Sequence, residues 1–345
     1  MKKIALILLC LVSLDSIAKI WIVDSNVGST VKDFTTLQTA HDGAIAGDTL
    51  YLIGSPNNYL SAKINVTKKL VIIGPGFFLT ENPDTQANTL SAFMNSTVPF
   101  QCTSIEFAVG SEGSVMMGME VRGGIKFTAN NILVKRNKFQ EFSCGSSMVD
   151  ITASNIIFIQ NYVQGTNSNG VPLLIVNGNQ SNVVIANNFL YQLLAHNGGN
   201  PPAISALTSS VEISNNILRG SLSVANGLVQ NNVFIFNNAF TATTSIVRNN
   251  YHVGASLPGG NSNVNNIVLA NFFAGSTTDG LWQLKAGSLG IGGGFGGGDA
   301  GMFGGVEPYV LSGIPPVPAI YSFTAPVVGD KVLGLPVQIK VKSRN

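Results

Sequence analysis

From about residue 125 onward the chain alternates short apolar runs with asparagine-rich turns: NILVKRNKF, NIIFIQNYV, NVVIANNFL, VEISNNIL, GLVQNNVF, SIVRNNYHV and NIVLANFF. Aligned on Asn137, Asn161, Asn188, Asn216, Asn232, Asn250 and Asn271, these phrases carry Val134, Phe158, Ile185, Ile213, Val229, Val247 and Val268 three positions earlier, all apolar. Two positions later stand Phe139, Val163, Leu190, Leu218, Phe234, His252 and Phe273, apolar apart from His252. The phrases are rich in β-branched residues and bounded by Gly, Asn and Ser, so they predict strands rather than helices. They recur at intervals of roughly 16 to 28 residues, the scale of one unit of a solenoid. Each phrase is one coil of a stacked β structure.

Stacking equivalent strands about 4.8 Å apart sets each residue over its counterpart, so like side chains form columns. Asparagine suits such a turn column, because it tolerates a left-handed backbone and its amide can hydrogen-bond up and down the stack. The same column could present amides to sugar hydroxyls, but turn chemistry alone accounts for it.

With these phrases the chain resembles the right-handed parallel β-helix proteins of the pectin-lyase-like fold. FTTLQTAHDGAIAGDTLYLIG (Phe34 to Gly54) looks like that family's opening segment, a short helix followed by Gly-Asp-Thr and a first strand. Phe34, Leu37, His41, Ala44 and Ile45 fall on one helical face, which would cap the N-terminal end of the core. WQLKAGSLGIGGGFGGGDAGMFGG (Trp282 to Gly305) is similar to a closing segment common in secreted bacterial β-helix proteins. No helical pattern follows it, which argues against a phosphate-cradling loop. Leu289, Ile291, Phe295, Met302 and Phe303 punctuate it, which argues against a flexible linker. The expectation is a tightly turning coil that seals the C-terminal end. The Pro-rich remainder, residues 307–345, predicts a hairpin from AIYSF and VQIKVKS that packs on the last coil. The fold expected is therefore all-β, a right-handed parallel β-helix over residues 19–306 with an N-terminal capping helix and a C-terminal hairpin tail.

Composition narrows the setting. The first 18 residues read as a secretory signal: Lys2-Lys3, the apolar run Ile4 to Val12, and Ser16-Ile17-Ala18 before a cleavage expected after Ala18. No later run is long enough to cross a bilayer, so the mature chain is expected to have no transmembrane segment. Of the 345 residues, 45% are hydrophobic and only 10% charged, with a net charge of +2. That balance, without a basic cluster interleaved with aromatics, sets nucleic acid aside as a partner. Beyond Cys10 in the signal, Cys102 and Cys144 remain, either as a pair or as two free thiols.

Chemistry is sparse. Glycoside hydrolysis needs two carboxylates, one to protonate the leaving oxygen and one to attack or to activate water. The resemblance implies, for lyases, a Lys or Arg base with acids that hold Ca²⁺. The densest charged cluster is Glu120, Arg122, Lys126, Lys135, Arg136, Lys138, Glu141 and Asp150. Within it Lys135 or Arg136 would be the base, with Glu120, Glu141 or Asp150 beside a metal. No other cofactor is expected, and the chain lacks the oxygen-rich runs a calcium site gathers. His41 falls on the capping helix and His252 in a packing column, which leaves His196, in the loop AHNGGNPP, as the histidine placed for ligand contact. Tyr162, Phe189 and Tyr251 directly follow the aligned asparagines. Exposed, they would form an aromatic strip on which sugar rings stack; buried, they pack coil on coil. The reading favoured is a secreted or cell-surface, non-catalytic structural or adhesin-like β-helix that holds extracellular polysaccharide or cell-surface components along one flank. The alternative is a polysaccharide lyase or glycoside hydrolase. Convergence of the charged groups in one groove would favour the enzyme; their separation would favour the scaffold.

Overall fold

The computed structural model describes residues 18–95, 102–140, 145–165, 171–192 and 202–343. Residues 1–17 of the signal-like segment, together with Glu141, Cys144 and His196, lie outside them. The chain winds as a parallel β-helix solenoid. Sheet 1 has ten strands, from Ile20–Val23 to Ile246–Arg248; sheet 2 has eight, from Phe93–Asn95 to Tyr251–His252; sheet 3 has eight, from Ile64–Val66 to Phe240–Thr243. One coil visits the three in turn, as in Ile132–Lys135, Lys138–Gln140 and Val149–Ile151. Every strand pair within these sheets is parallel and joins one coil to the next, as Phe158 pairs with Val134 and Ile185.

The columns are those the phrases imply. Val134, Phe158, Ile185, Ile213, Val229 and Val247 line the core from sheet 1, and Phe139, Val163, Leu190, Leu218, Phe234 and His252 line it from sheet 2, all buried. His252 packs against Phe234 and accepts a 2.7 Å hydrogen bond from the Gly254 amide on Nδ1; burial pushes its pKa down. Between the columns the asparagines form a continuous ladder. Each accepts the backbone N–H of its counterpart one coil earlier, at 2.9–3.1 Å from Asn161 accepting Asn137 to Asn263 accepting Asn250. Each side-chain amide donates back to a carbonyl of the preceding coil, as Asn188 does to Phe158.

Two details differ from the expectation. The seventh rung is Asn263, not Asn271, which sits in the 3₁₀ turn Leu269–Asn271; Val268 is exposed and Phe273 pairs with Leu284. The left-handed residue is the one before each rung, Arg136, Gln160, Asn187, Asn215, Asn231 and Asn249.

The helix Leu37–Gly43 buries Leu37, Ala40 and His41 against the first coil, capped by Thr36 Oγ1, which accepts the Thr39 amide at 3.2 Å. Ile45 falls beyond the helix and is exposed. Cys102 is disulfide-bonded, which removes the free-thiol alternative for it.

The glycine-rich segment does not seal the C-terminal end. Residues 293–315 run back along the flank as a strap, descending the corner between sheets 1 and 2 toward the first coils. The left-handed corner residues hold its backbone in order: Asn249 donates to the Gly293 carbonyl (3.0 Å), Asn215 to Asp299 (3.0 Å), Asn187 to Gly304 (2.7 Å), Gln160 to Pro308 (2.7 Å) and Arg136 to Ile314 (2.9 Å). Asn231 Oδ1 accepts the Phe295 amide at 2.7 Å. Beneath the strap Tyr162, Phe189, Ile217 and Tyr251 form a second core, completed by Met302 and Tyr309 of the strap itself. Glycine is required where the strap touches down. A Cβ on Gly293 would stand 2.0 Å from Tyr251 Oη and 2.2 Å from the Leu289 carbonyl. Gly293→Ala is therefore expected to destabilise by about 1–3 kcal/mol, the usual range for overpacking. An unchanged denaturation midpoint would show the strap to be undocked at that point.

The hairpin, Ala319–Thr324 with Gln338–Lys342, forms as expected but packs on the first coils, not the last. Ile320 accepts the Ala87 amide at 2.8 Å, and Lys342 pairs with Asp84 at 3.3 Å. The strap delivers the chain there.

Candidate functional site

The solenoid's period of two and its corners sort the charged cluster onto separate faces. Lys135 points outward from sheet 1. Arg136 turns into the corner, buried, where it bonds Gln160 Oε1 (2.8 Å) and the strap. Glu120, Arg122 and Lys138 lie on sheet 2, and Lys126 and Asp150 on sheet 3. Among the described residues, the candidate bases Lys135 and Arg136 do not meet Glu120 or Asp150; Glu141 lies outside them.

On sheet 2, Glu120 accepts Ser91 Oγ at 2.8 Å and pairs with Arg122 (3.3 Å) and Lys138 (3.4 Å). Burial alone would raise its pKa, but the Lys138 charge, the Ser91 hydrogen bond and Arg122 outweigh burial and hold it low. On the outer face of sheet 3, Asn65, Glu106, Lys126, Asp150, Ile175, Ser205, Ser223 and Thr241 form one in-register row. Here Lys126 sits between two acids. Glu106 is tied to Lys63 and Thr128; burial alone would raise its pKa, but Lys63, Thr128 and the Lys126 charge together hold it low. Asp150 accepts Asn177 Nδ2 at 3.0 Å. Among the described residues no group of three His, Cys, Asp or Glu side chains is placed to hold a metal ion.

The tyrosines chosen from the sequence are not exposed. Tyr162 and Tyr251 are 5% and 3% accessible beneath the strap, with Tyr162 stacked on Phe189 at 4.5 Å between ring centroids. The aromatic strip exists, but it is the strap's docking surface. Burial raises the pKa of both tyrosines.

On sheet 2 the outward column beside the strap stays open: Arg122, Gln140, Gln164, Tyr191 and Arg219, each half-buried and in register on five successive strands. At about 4.8 Å per coil it spans roughly 19 Å. Arg122 lies over the Phe93 ring at 4.6 Å. Arg219 is sandwiched between Tyr191 (4.6 Å) and the exposed Phe236 (4.8 Å), and it donates to Tyr191 Oη. Among the described residues no carboxylate pairs with Arg219. A flat line of amides and guanidinium groups, interrupted by rings, can hydrogen-bond hydroxyls and carry the CH face of a pyranose. Sequence reasoning passed over this column. Its signal was the position three after four successive ladder asparagines, Asn137, Asn161, Asn188 and Asn216, which holds Gln140, Gln164, Tyr191 and Arg219 before turning apolar at Ile235 and Val253.

No known protein family matches the chain, and no curated protein or solved structure is detectably similar to it.

Proposed function

We propose that the protein is a secreted or cell-surface, non-catalytic β-helix of the pectin-lyase-like type, a structural or adhesin-like scaffold that holds an extracellular polysaccharide along its flank. The observation that carries this reading is the Arg122–Gln140–Gln164–Tyr191–Arg219 row, a regularly spaced polar and aromatic line suited to a linear polymer. The signal-like N-terminus supports the location. The separation of Lys135, Arg136, Glu120 and Asp150 weighs against catalysis by the cluster the sequence singled out.

The test is retention of the mature chain, from Lys19 onward, on immobilised acidic and neutral polysaccharides, with reducing ends and unsaturated product followed in parallel. Retention without product is expected. Tyr191→Ala and Arg219→Ala should each weaken it roughly tenfold, the worth of one lost ring or cation–π contact. Retention indifferent to both substitutions would remove the row from the proposal. The enzymatic alternative rests on Lys126 between Glu106 and Asp150 on sheet 3. Product formation, abolished by Lys126→Ala, would establish that alternative in place of the scaffold; calcium dependence would implicate those acids.

A further inference from the structure

The first strand of sheet 1, Ile20–Val23, is outermost in its sheet and pairs with Thr49–Leu52. One buried acid pins its start. Asp48 is 1% accessible; its Oδ1 accepts the Lys19 backbone N–H at 2.8 Å, and its Oδ2 accepts the Trp21 indole N–H at 2.7 Å and the Ile45 amide at 2.9 Å. The Thr49 amide donates to the Lys19 carbonyl at 2.8 Å, so the Lys19 backbone is held at both its nitrogen and its oxygen. Burial works against the Asp48 charge; the Lys19 and Ile45 amides, the Trp21 indole and the Lys19 side chain outweigh it and hold its pKa low. The Lys19 side-chain ammonium lies over the Trp21 ring, 3.3 Å from its centroid, and among the described residues no cation forms an ion pair with Asp48. A buried carboxylate without an ion-pair partner is therefore aimed at one backbone nitrogen.

That nitrogen belongs to the residue after the expected cleavage, and Ala18 and Lys19 are both exposed. We propose that Asp48 is the receptor for the N-terminal ammonium of the processed chain, so that removal of residues 1–18 turns the Lys19–Asp48 hydrogen bond into an ion pair that locks the first strand in place. Hydrolysis by a leader peptidase breaks the bond between the Ala18 carbonyl carbon and the Lys19 nitrogen, adding the OH of water to the carbon and its H to the nitrogen. The new carboxyl then releases a proton and the new amine takes one up. The nitrogen already stands at hydrogen-bond distance from Asp48 Oδ1, and a charge-assisted bond is roughly twice as strong as a neutral one. The geometry selects this bond on grounds separate from the composition of the leader. A chain beginning at Ala18 would carry its ammonium one residue, about 3.3 Å, further out and leave a neutral amide at Asp48. A chain beginning at Ile20 would lose both the nitrogen that Asp48 accepts and the carbonyl that the Thr49 amide reaches. The inference rests on the secretion reading and is independent of the polysaccharide.

Two measurements test it. N-terminal sequencing of the exported protein is expected to begin at Lys19. Acylation of the α-amine by acetic anhydride at pH 7, followed by mass spectrometry of the N-terminal peptide, is expected to run roughly tenfold slower in the chain beginning at Lys19 than in its Asp48→Asn variant or in a chain beginning at Ala18. The ion pair lifts the ammonium above its ordinary pKa of about 7.7–8.0, and only the free amine reacts. The Lys19 side chain, the other cation at this end, is common to all three proteins. The chain beginning at Ala18 keeps Asp48 and its neighbours unchanged, so it carries the comparison if Asp48→Asn misfolds. Equal acylation rates in the Lys19 and Ala18 chains overturn the proposal. An exported protein that begins at another residue also overturns it while leaving secretion standing, and a chain that stays in the cell with residues 1–18 attached overturns both.

Discussion

Asn188→Ala is expected to lower the unfolding free energy by roughly 3–5 kcal/mol, because it leaves several buried polar groups unpaired at about 1–3 kcal/mol each before relaxation. Asn188 Oδ1 accepts the Asn161 amide at 2.9 Å and the Asn161 side chain at 3.1 Å, and its Nδ2 donates to the Phe158 carbonyl (2.9 Å) and to Asn216 Oδ1 (3.0 Å). The site is fully buried, so water cannot replace these partners. The same substitution at the last rung should cost far less, because Asn263 is only half-buried and its Nδ2 already shares itself between Val247 and Pro258. Asn188→Asp separates the two halves of the interaction: the acceptor contacts survive while the donor is lost and a charge is buried. Denaturant titration of the three variants checks the gradient. Equal losses at Asn188 and Asn263 would show that the ladder does not act as a cooperative column.

The coils were legible because stacking turns a repeat in sequence into a column in space, and each column position then has one chemical requirement. That logic failed where the repeat stops stacking. NIVLANFF matches the phrase, yet Asn271 lies in the segment that leaves the solenoid for the flank. The true rung, Asn263, follows the left-handed Ser262 and precedes Val264, the same turn chemistry as Asn249-Asn250-Tyr251. The strap was illegible for a different reason. It is held through its backbone carbonyls, which carry no sequence signature, and only its apolar anchors and glycines stand out. A clue lay on the other side of the contact: Tyr162, Phe189, Ile217, Val233 and Tyr251 make sheet 2 apolar outward as well as inward at one column, which calls for a cover. The charged cluster misled because nearness along the chain means little in a solenoid. Lys135 and Lys138 are three residues apart but face different directions across a corner. Partners on one face are a full coil apart in sequence, as Arg122 and Gln140 are.

Asp279→Ala is expected to be comparably costly, and its cost should depend on pH. Asp279 is fully buried where the strap meets the first coils, accepting the Ser312 amide at 2.7 Å, Tyr309 Oη at 3.2 Å and Asn82 Nδ2 at 2.9 Å. Three donors lose their acceptor when it is removed, which at about 1–3 kcal/mol each puts the loss at roughly 3–9 kcal/mol before relaxation. Burial raises the carboxyl's pKa above its ordinary value, and the hydrogen bonds from Ser312, Asn82 and Tyr309 offset this only in part. The folded state therefore holds the Asp279 proton more tightly than the unfolded chain does. Its contribution is fully present below the unfolded aspartate pKa and declines as pH rises through the folded value. Glu106 and Glu120, held low, act in the opposite sense, but they are common to both proteins and cancel in the difference. The stability gap between wild type and Asp279→Ala should accordingly narrow from pH 4 toward neutrality in urea titrations. A gap that widens over that range would mean the carboxylate is ionised throughout, with its three donors and not burial setting its charge at the strap's anchor.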